Sequence, residues 1–258
     1  MHKFPVWQIG GLQIDLSTFL TIIIACLIVF ILARLSVRNL SVNNPSKLQN
    51  FMEWVVEFVQ GIIASAMPLD RVKPFVSLGM TIIMFIFVSN LLGLPFGLVL
   101  TFTQPVDLLG YPLITQEMIN SAHGGHGVEV AFWKSPTADV SVTFGLAVIV
   151  FILTHYLGLK VNTKHYLKHY FEPFWFFLPL NLIKEISKPL TLGLRLYANI
   201  FAGEVLIATI LMAGIFGTPL LIAWQGFSIF VGAIQAFLFT ILTMVYIKQA
   251  SVHEEESH

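Results

Sequence analysis

Along most of this chain apolar residues do not alternate with polar ones but run on in stretches about as long as a bilayer crossing, with charge collected at the stretch ends. A transmembrane helix needs roughly 20 mainly apolar residues. That pattern predicts spans at 16–35, 74–100, 138–159, 180–214 and 219–249. Residues 47–67 follow another rule: Met52, Val55, Val56, Val59 and Ile63 fall on one side of a helix, and Glu53, Glu57 and Gln60 on the other. Such a helix lies along the cytoplasmic face, because two carboxylates make a crossing costly. It opens with Ser46-Lys47-Leu48-Gln49, the S-x-x-Q form of a capping box.

The fold class that follows is an all-α membrane protein, one polytopic domain of about five transmembrane helices plus the interfacial helix. The last two spans form a long tilted hairpin. A helix over 180–214 would be roughly 50 Å long against a hydrocarbon core of about 30 Å, so it must tilt, bend or protrude. Pro189 and Gly193 offer places to bend, and Gly214, Gly217 and Pro219 end the helix. The remaining pieces are an external amino-terminal segment at 1–15, an external polar loop at 101–137 and an acidic tail at 250–258 containing Glu254, Glu255 and Glu256. No secure internal repeat is visible.

Charge placement orients the chain. Arg34 and Arg38 follow the first span, Arg71 and Lys73 precede the second, Lys160, Lys164 and Lys168 follow the third, and Lys248 closes the last. By the positive-inside rule these ends are cytoplasmic, which puts the amino terminus outside and the carboxyl terminus in the cytoplasm. The first run is a retained helix and not a signal peptide, since its basic residues come after it.

Composition excludes the soluble classes: 56% of the 258 residues are hydrophobic and 11% charged, with a mean hydropathy of +0.82. Basic and acidic residues balance at 14 each, so there is no nucleic-acid surface. No Walker loop, dinucleotide fingerprint or activated nucleophile is present, so no cofactor and no catalytic chemistry are expected of this chain alone. No metal is expected either: His123-Gly-Gly-His126 lacks further ligands at useful spacing and reads as solvated loop. His155, His165 and His169 sit in a basic flank and read as interfacial. Cys26 is alone, which rules out an intrachain disulfide and leaves packing as its role.

The candidate chemistry lies at 185–216, an apolar run that carries Glu185, Lys188, Arg195, Asn199 and Glu204. A guanidinium at bilayer depth costs at least about 2.5–3.5 kcal/mol and normally faces protein or water along a pathway. On a helical wheel Lys188 and Ala202 lie within about 20° of Arg195 and Asn199 about 40° away, while Glu204 is about half a turn out of phase. Gly193, Ala198, Ala202 and Gly203 leave room for a helix to approach. The facing helix supplies Ser228 and Gln235. Asn90 reads first as an interhelix hydrogen bond, and Asp139, behind the N-cap Ser135 and Pro136, first as a helix-capping carboxylate; a place in an ion path is the second reading of each. A structural Arg, a self-contained ion-coupled transporter and a simple anchor remain as alternatives. A transporter needs repeat symmetry and a midplane pocket between paired broken helices.

The string Leu192-Gly-Leu-Arg195-Leu-Tyr-Ala-Asn199-Ile-Phe-Ala-Gly203-Glu204, followed by Gln235-Ala-Phe and Tyr246, resembles the a subunit of rotary F-type ATP synthases of bacterial type. Ser135-Pro-Thr-Ala-Asp139-Val and Asn90-Leu-Leu-Gly-Leu are similar to that family's earlier motifs, and the likeness runs from about residue 47 to the end. The resemblance implies a multi-pass stator subunit of the bacterial inner membrane. Its partners would be a ring of c subunits, the b subunits of the peripheral stalk, the F1 sector indirectly, and the lipid bilayer. Two offset half-channels would pass protons to and from the ring, with Arg195 separating them and driving each ring carboxylate to its deprotonated form. By the same resemblance Asn199, Glu204 and Gln235 match channel positions, Lys188 matches a basic cytoplasmic-side position, and Ser228 stands where many relatives have histidine. Glu185 lies toward the cytoplasm and Glu204 toward the outside, and Asn90 and Asp139 complete the candidate ion pathway.

Overall fold

In the computed structural model of the chain the described residues are 6–9, 12–67, 72–94, 99–108, 111–114, 116, 119, 128–131, 133–171 and 174–251. Arg71, the His123 to His126 loop and the tail with Glu254, Glu255 and Glu256 lie outside the described residues, as do the side chains of Lys164, His165, Lys168 and His169.

Six long helices make the fold: α1 (Leu16–Ser36), α2 (Lys47–Ala66), α3 (Val76–Leu92), α4 (Val140–Phe171), α5 (Leu178–Leu211) and α6 (Thr218–Ser251). Five stretches are long and apolar enough to cross a membrane, Leu16–Ser36, Lys73–Leu92, Val140–Lys160, Leu178–Leu211 and Gly214–Ala250. Helix α1 starts where Asp15 accepts hydrogen bonds from the backbone N–H groups of Ser17 and Thr18, two of the donors a helix start leaves open. Cys26 proves to be exposed on this helix and not packed, among outward apolar neighbours such as Leu27 and Phe30.

Helix α2 buries Met52, Val55, Val59, Ile62 and Ile63 and turns Glu53 and Glu57 outward. Phe51, Trp54 and Phe58 lie exposed in a row, the last two stacked at 5.8 Å, an aromatic strip suited to the membrane–water boundary. Only half of the capping box forms. Ser46 accepts from the Gln49 N–H at 3.2 Å, but the Gln49 side chain turns to the Ser41 backbone and to Glu53. The core sits where α2, α3, α4, α5 and α6 meet, around Val59, Ile63, Ile86, Ala147, Leu192, Leu196, Phe239 and Met244. A Cβ on Gly79 would stand 2.8 Å from Val59 Cγ1, so glycine is what lets α3 close on α2.

Helix α4 continues past 159 to Phe171, because its lysines recur at helical spacing and a helix leaving the bilayer needs no apolar face. Helices α5 and α6, of 34 residues each, are about 51 Å long. Pro189 lies inside α5 without ending it. The hairpin turns at Gly214, whose φ of 60° falls in the left-handed region glycine tolerates. Helix α5 is the barest span, 11% of its window buried against 22–39% for the others.

The outer segments are more ordered than a polar loop implies. Strands β1 (Val6–Ile9) and β2 (Leu12–Asp15) pair antiparallel, as do β3 (Val99–Phe102) with β6 (Val128–Ala131) and β4 (Val106–Leu108) with β5 (Tyr111–Ile114). Ile114 and Val130 are buried beneath them.

Candidate functional site

At the outer ends of α3, α5 and α6 a short 3-10 turn, Pro136–Ala138, enters the bundle and brings polar groups with it. Asn90 is 4% exposed, and both ends of its amide are used: Nδ2 donates to the Gly232 carbonyl at 3.0 Å, and Oδ1 accepts from the Thr137 hydroxyl at 2.6 Å. Ser135 Oγ donates to the Ser89 carbonyl at 2.8 Å and lies 2.7 Å from Thr137 Oγ1. Ser135 therefore spends its hydroxyl on α3 and does not cap the next helix. Asp139 does that, accepting from the Ser141 N–H at 2.9 Å at the start of α4. The backbone N–H of Ser135 donates to Glu204 Oε1 at 3.4 Å, which ties α5 to the same turn.

Beside this junction lies a cavity of ≈ 280 Å³ between α3, α5 and α6. Asn90, Asn199, Glu204 and Ser228 line it, with Trp224 and Phe227 on its apolar side. Four residues singled out from three separate stretches of sequence thus share one space. Gln235 is buried at 5% but lines neither this cavity nor the inner one described below.

Asp139 stands apart from the cavity, in an ion cluster. Lys134 Nζ lies 2.6 Å from Asp15 Oδ2 and 2.9 Å from Asp139 Oδ2, and Thr18 Oγ1 donates to Asp139 Oδ2 at 3.1 Å. Burial works against the Lys134 charge, yet the hydrogen bonds and the charges of Asp15 and Asp139 outweigh it and hold the lysine above its ordinary 10.5. Burial likewise opposes the Asp139 charge, but Lys134, with the Ser141 N–H and Thr18 hydroxyl, brings the carboxyl below its ordinary 3.8. The sequence alone gave no sign of Lys134 or Asp15, because their partners are distant in the chain.

At the other end of α5, Lys188 Nζ donates to Glu185 Oε1 and sits 5.6 Å above the Tyr246 ring of α6. A small cavity of ≈ 10 Å³, room for about one water, is lined by Glu185, Lys188, Tyr246 and His155 of α4. His155 Nδ1 lies 2.9 Å from the Phe151 carbonyl oxygen, an acceptor only, so Nδ1 carries the proton there.

Arg195 lies between these two ends. Among the described residues it forms no ion pair or hydrogen bond, and its side chain is exposed with Leu194, Ala198, Phe201 and Ala202. This excludes the reading of Arg195 as a buried tie between helices of this chain. Of the small residues around it, Gly193 is already filled, since a Cβ there would sit 3.3 Å from the Phe144 ring, whereas Gly203 meets nothing within 4 Å.

Comparison with known proteins places this geometry. The family model described as ATP synthase A chain matches residues 18–248, so the likeness begins in the first span, well before residue 47. The chain is 43% identical to ATP synthase subunit a of Bacillus subtilis (strain 168), covering 98% of this chain and 99% of that protein. It is 44% identical to ATP synthase subunit a of Anoxybacillus flavithermus, again over 98% and 99%, and 44% identical to that of Priestia megaterium over 95% and 96%.

Proposed function

The chain belongs to the ATP synthase A chain family, and from that membership we propose that it is the membrane stator subunit of a bacterial ATP synthase, carrying protons to and from a rotating ring of c subunits. It is a multi-pass membrane protein that works within a complex of other ATP synthase subunits.

The observation that carries the reading is the position of Arg195. It lies on the bare face of α5, about 14 Å along the axis from Glu204 and about 15 Å from Glu185. The outer cavity therefore ends on one side of it and the inner polar group on the other. A proton arriving from outside passes Asn199 and Glu204, reaches a carboxylate of the ring, travels round with it, and leaves past Glu185 and Lys188. Arg195 faces the ring and draws each arriving carboxylate into its charged form. Arginine suits the task because it keeps its charge even when partly desolvated, where a lysine would surrender its proton.

The same face, with Leu194, Ala198, Phe201 and Ala202, is where the ring docks. The b subunits of the peripheral stalk hold the chain still, and through them it is joined to the F1 sector. The amino terminus lies outside and the carboxyl terminus in the cytoplasm. A self-contained transporter is disfavoured, since α5 runs unbroken through Pro189 where such proteins use interrupted helices.

Arg195→Ala tests the reading. ATP synthesis driven by a proton gradient is expected to fall to background while the complex still assembles. Normal coupled synthesis in that variant would sink it.

A further inference from the structure

Trp224 is a polar side chain on the outer cavity for which the path above has no use. It stands on α6 one turn before Ser228, on the same helix face, and both residues line the cavity with Asn199 and Glu204. Phe227 packs on its ring at 5.3 Å, and the next residue, Gln225, anchors the turn by donating from Nε2 to the Leu94 carbonyl at 3.2 Å. The indole Nε1 is buried and has no hydrogen-bond partner in the protein. An N–H held this way gives up its hydration and gains nothing, while phenylalanine would fill the space without that penalty. The side chain makes sense only if something in the cavity accepts its hydrogen. Glu204, Asn199, Asn90 and Ser228 give a water there the two to four polar partners it requires, and the ≈ 280 Å³ volume holds several.

We propose that Trp224 is a positioning residue of the outer proton path, its Nε1–H donating to a cavity water that in turn donates toward Ser228 and Glu204. This rests on the cavity belonging to the path. Indole nitrogen donates and does not accept. A water that accepts from it keeps both of its own hydrogens free for acceptors, and the carboxylate of Glu204 is the strongest acceptor on the cavity wall. Nor does the indole release its proton, so a hydrogen-bonded chain cannot continue through it. Trp224 closes the chain on the α6 side and turns it toward α5, whereas Ser228, both donor and acceptor, passes a proton on.

The test uses the assembled complex in vesicles. Trp224→Phe keeps the ring and deletes the donor; it is expected to slow proton flux roughly three- to tenfold, the worth of one hydrogen bond, with assembly and Tm unchanged. The ultraviolet resonance Raman difference between wild type and Trp224→Phe isolates the indole, and is expected to show a hydrogen-bonded N–H that exchanges promptly into D2O. A free N–H that does not exchange overturns the proposal, and so does wild-type flux in Trp224→Phe. If Trp224→Phe does not assemble, Trp224→Tyr provides the same difference spectrum. Glu204→Gln separates this from the reading beneath it. Unchanged flux there removes the whole cavity from the path, while loss of flux there with wild-type flux in Trp224→Phe removes Trp224 alone.

Discussion

Lys134 and Asp15 are joined by an ion pair of 2.6 Å in which the two side chains are only 10% and 18% exposed. The pair pins the start of α1 to the segment whose next residue, Ser135, holds both Ser89 and Glu204. Lys134→Met leaves Asp15 and Asp139 facing one another with no cation, and stranding buried charge of this kind costs about 3–5 kcal/mol. A lower melting temperature of the purified complex, by several degrees, is the expected result. An unchanged melting temperature would mean the cluster is solvated.

The same cluster sets a pH window. Asp139 lies below its ordinary 3.8 in the fold, so its contribution is complete above that value and is lost as pH falls through the lower, folded value. Lys134 lies above its ordinary 10.5, so its share is complete below that value and is lost as pH rises through the higher one. The stability gap between wild type and Lys134→Met is expected to stay flat across neutral pH and to close at both extremes. A gap that varies between pH 6 and 8 would point to another group.

Asn90 is bonded on both sides, to Thr137 at 2.6 Å and to the Gly232 carbonyl at 3.0 Å, which makes it a clamp between the Pro136 turn, α3 and α6 as well as a cavity wall. Interhelix hydrogen bonds of this type couple by about 0.6 kcal/mol on average and up to about 1.7 kcal/mol. A double-mutant cycle of Asn90→Ala with Thr137→Val is expected in the upper part of that range, because the bond is short and fully buried. Coupling near zero would show that water substitutes for either partner.

The spans and the helix carrying Arg195 were legible in the sequence because bilayer length and helical spacing are local rules, readable within one stretch. Asn199 and Glu204 could be singled out for the same reason: a polar side chain in an apolar run is conspicuous without knowledge of its neighbours. The Lys134 to Asp15 pair was not, since each residue looks like ordinary boundary charge until the chain folds. Ser135 shows a subtler limit. Ser-Pro is a sound helix-start signal, but a buried carbonyl on α3 competes for its hydroxyl and wins, and the cap passes to Asp139. The paired strands of the outer segments were hidden by glycine and proline around short apolar runs such as Val99–Phe102.

Glu204 carries the last expectation. Helix α5 places it beyond Arg195 as seen from Glu185, about half a revolution away on the wheel and about 14 Å along the axis, so it works apart from the arginine. Its one protein hydrogen-bond donor is the Ser135 N–H at 3.4 Å, a long contact that leaves the carboxylate available to the cavity it shares with Asn199 and Ser228. A group so placed can take a proton from water on one side and hand it on at the other. Glu204→Gln keeps the shape and removes that capacity. Proton flux is expected to fall about a hundredfold, at the low end of what a positioned proton-transfer group contributes, with the carboxylate's titration gone from the flux–pH profile and ring assembly intact. In a Cys26→Ser background, Glu204→Cys should react with small thiol reagents supplied from outside and Glu185→Cys with those supplied from the cytoplasm, which also fixes the orientation of α5. Equal access to position 204 from both sides would join what Arg195 is proposed to separate, and unchanged flux in Glu204→Gln would leave the carboxylate as a partner of the Ser135 turn and nothing more.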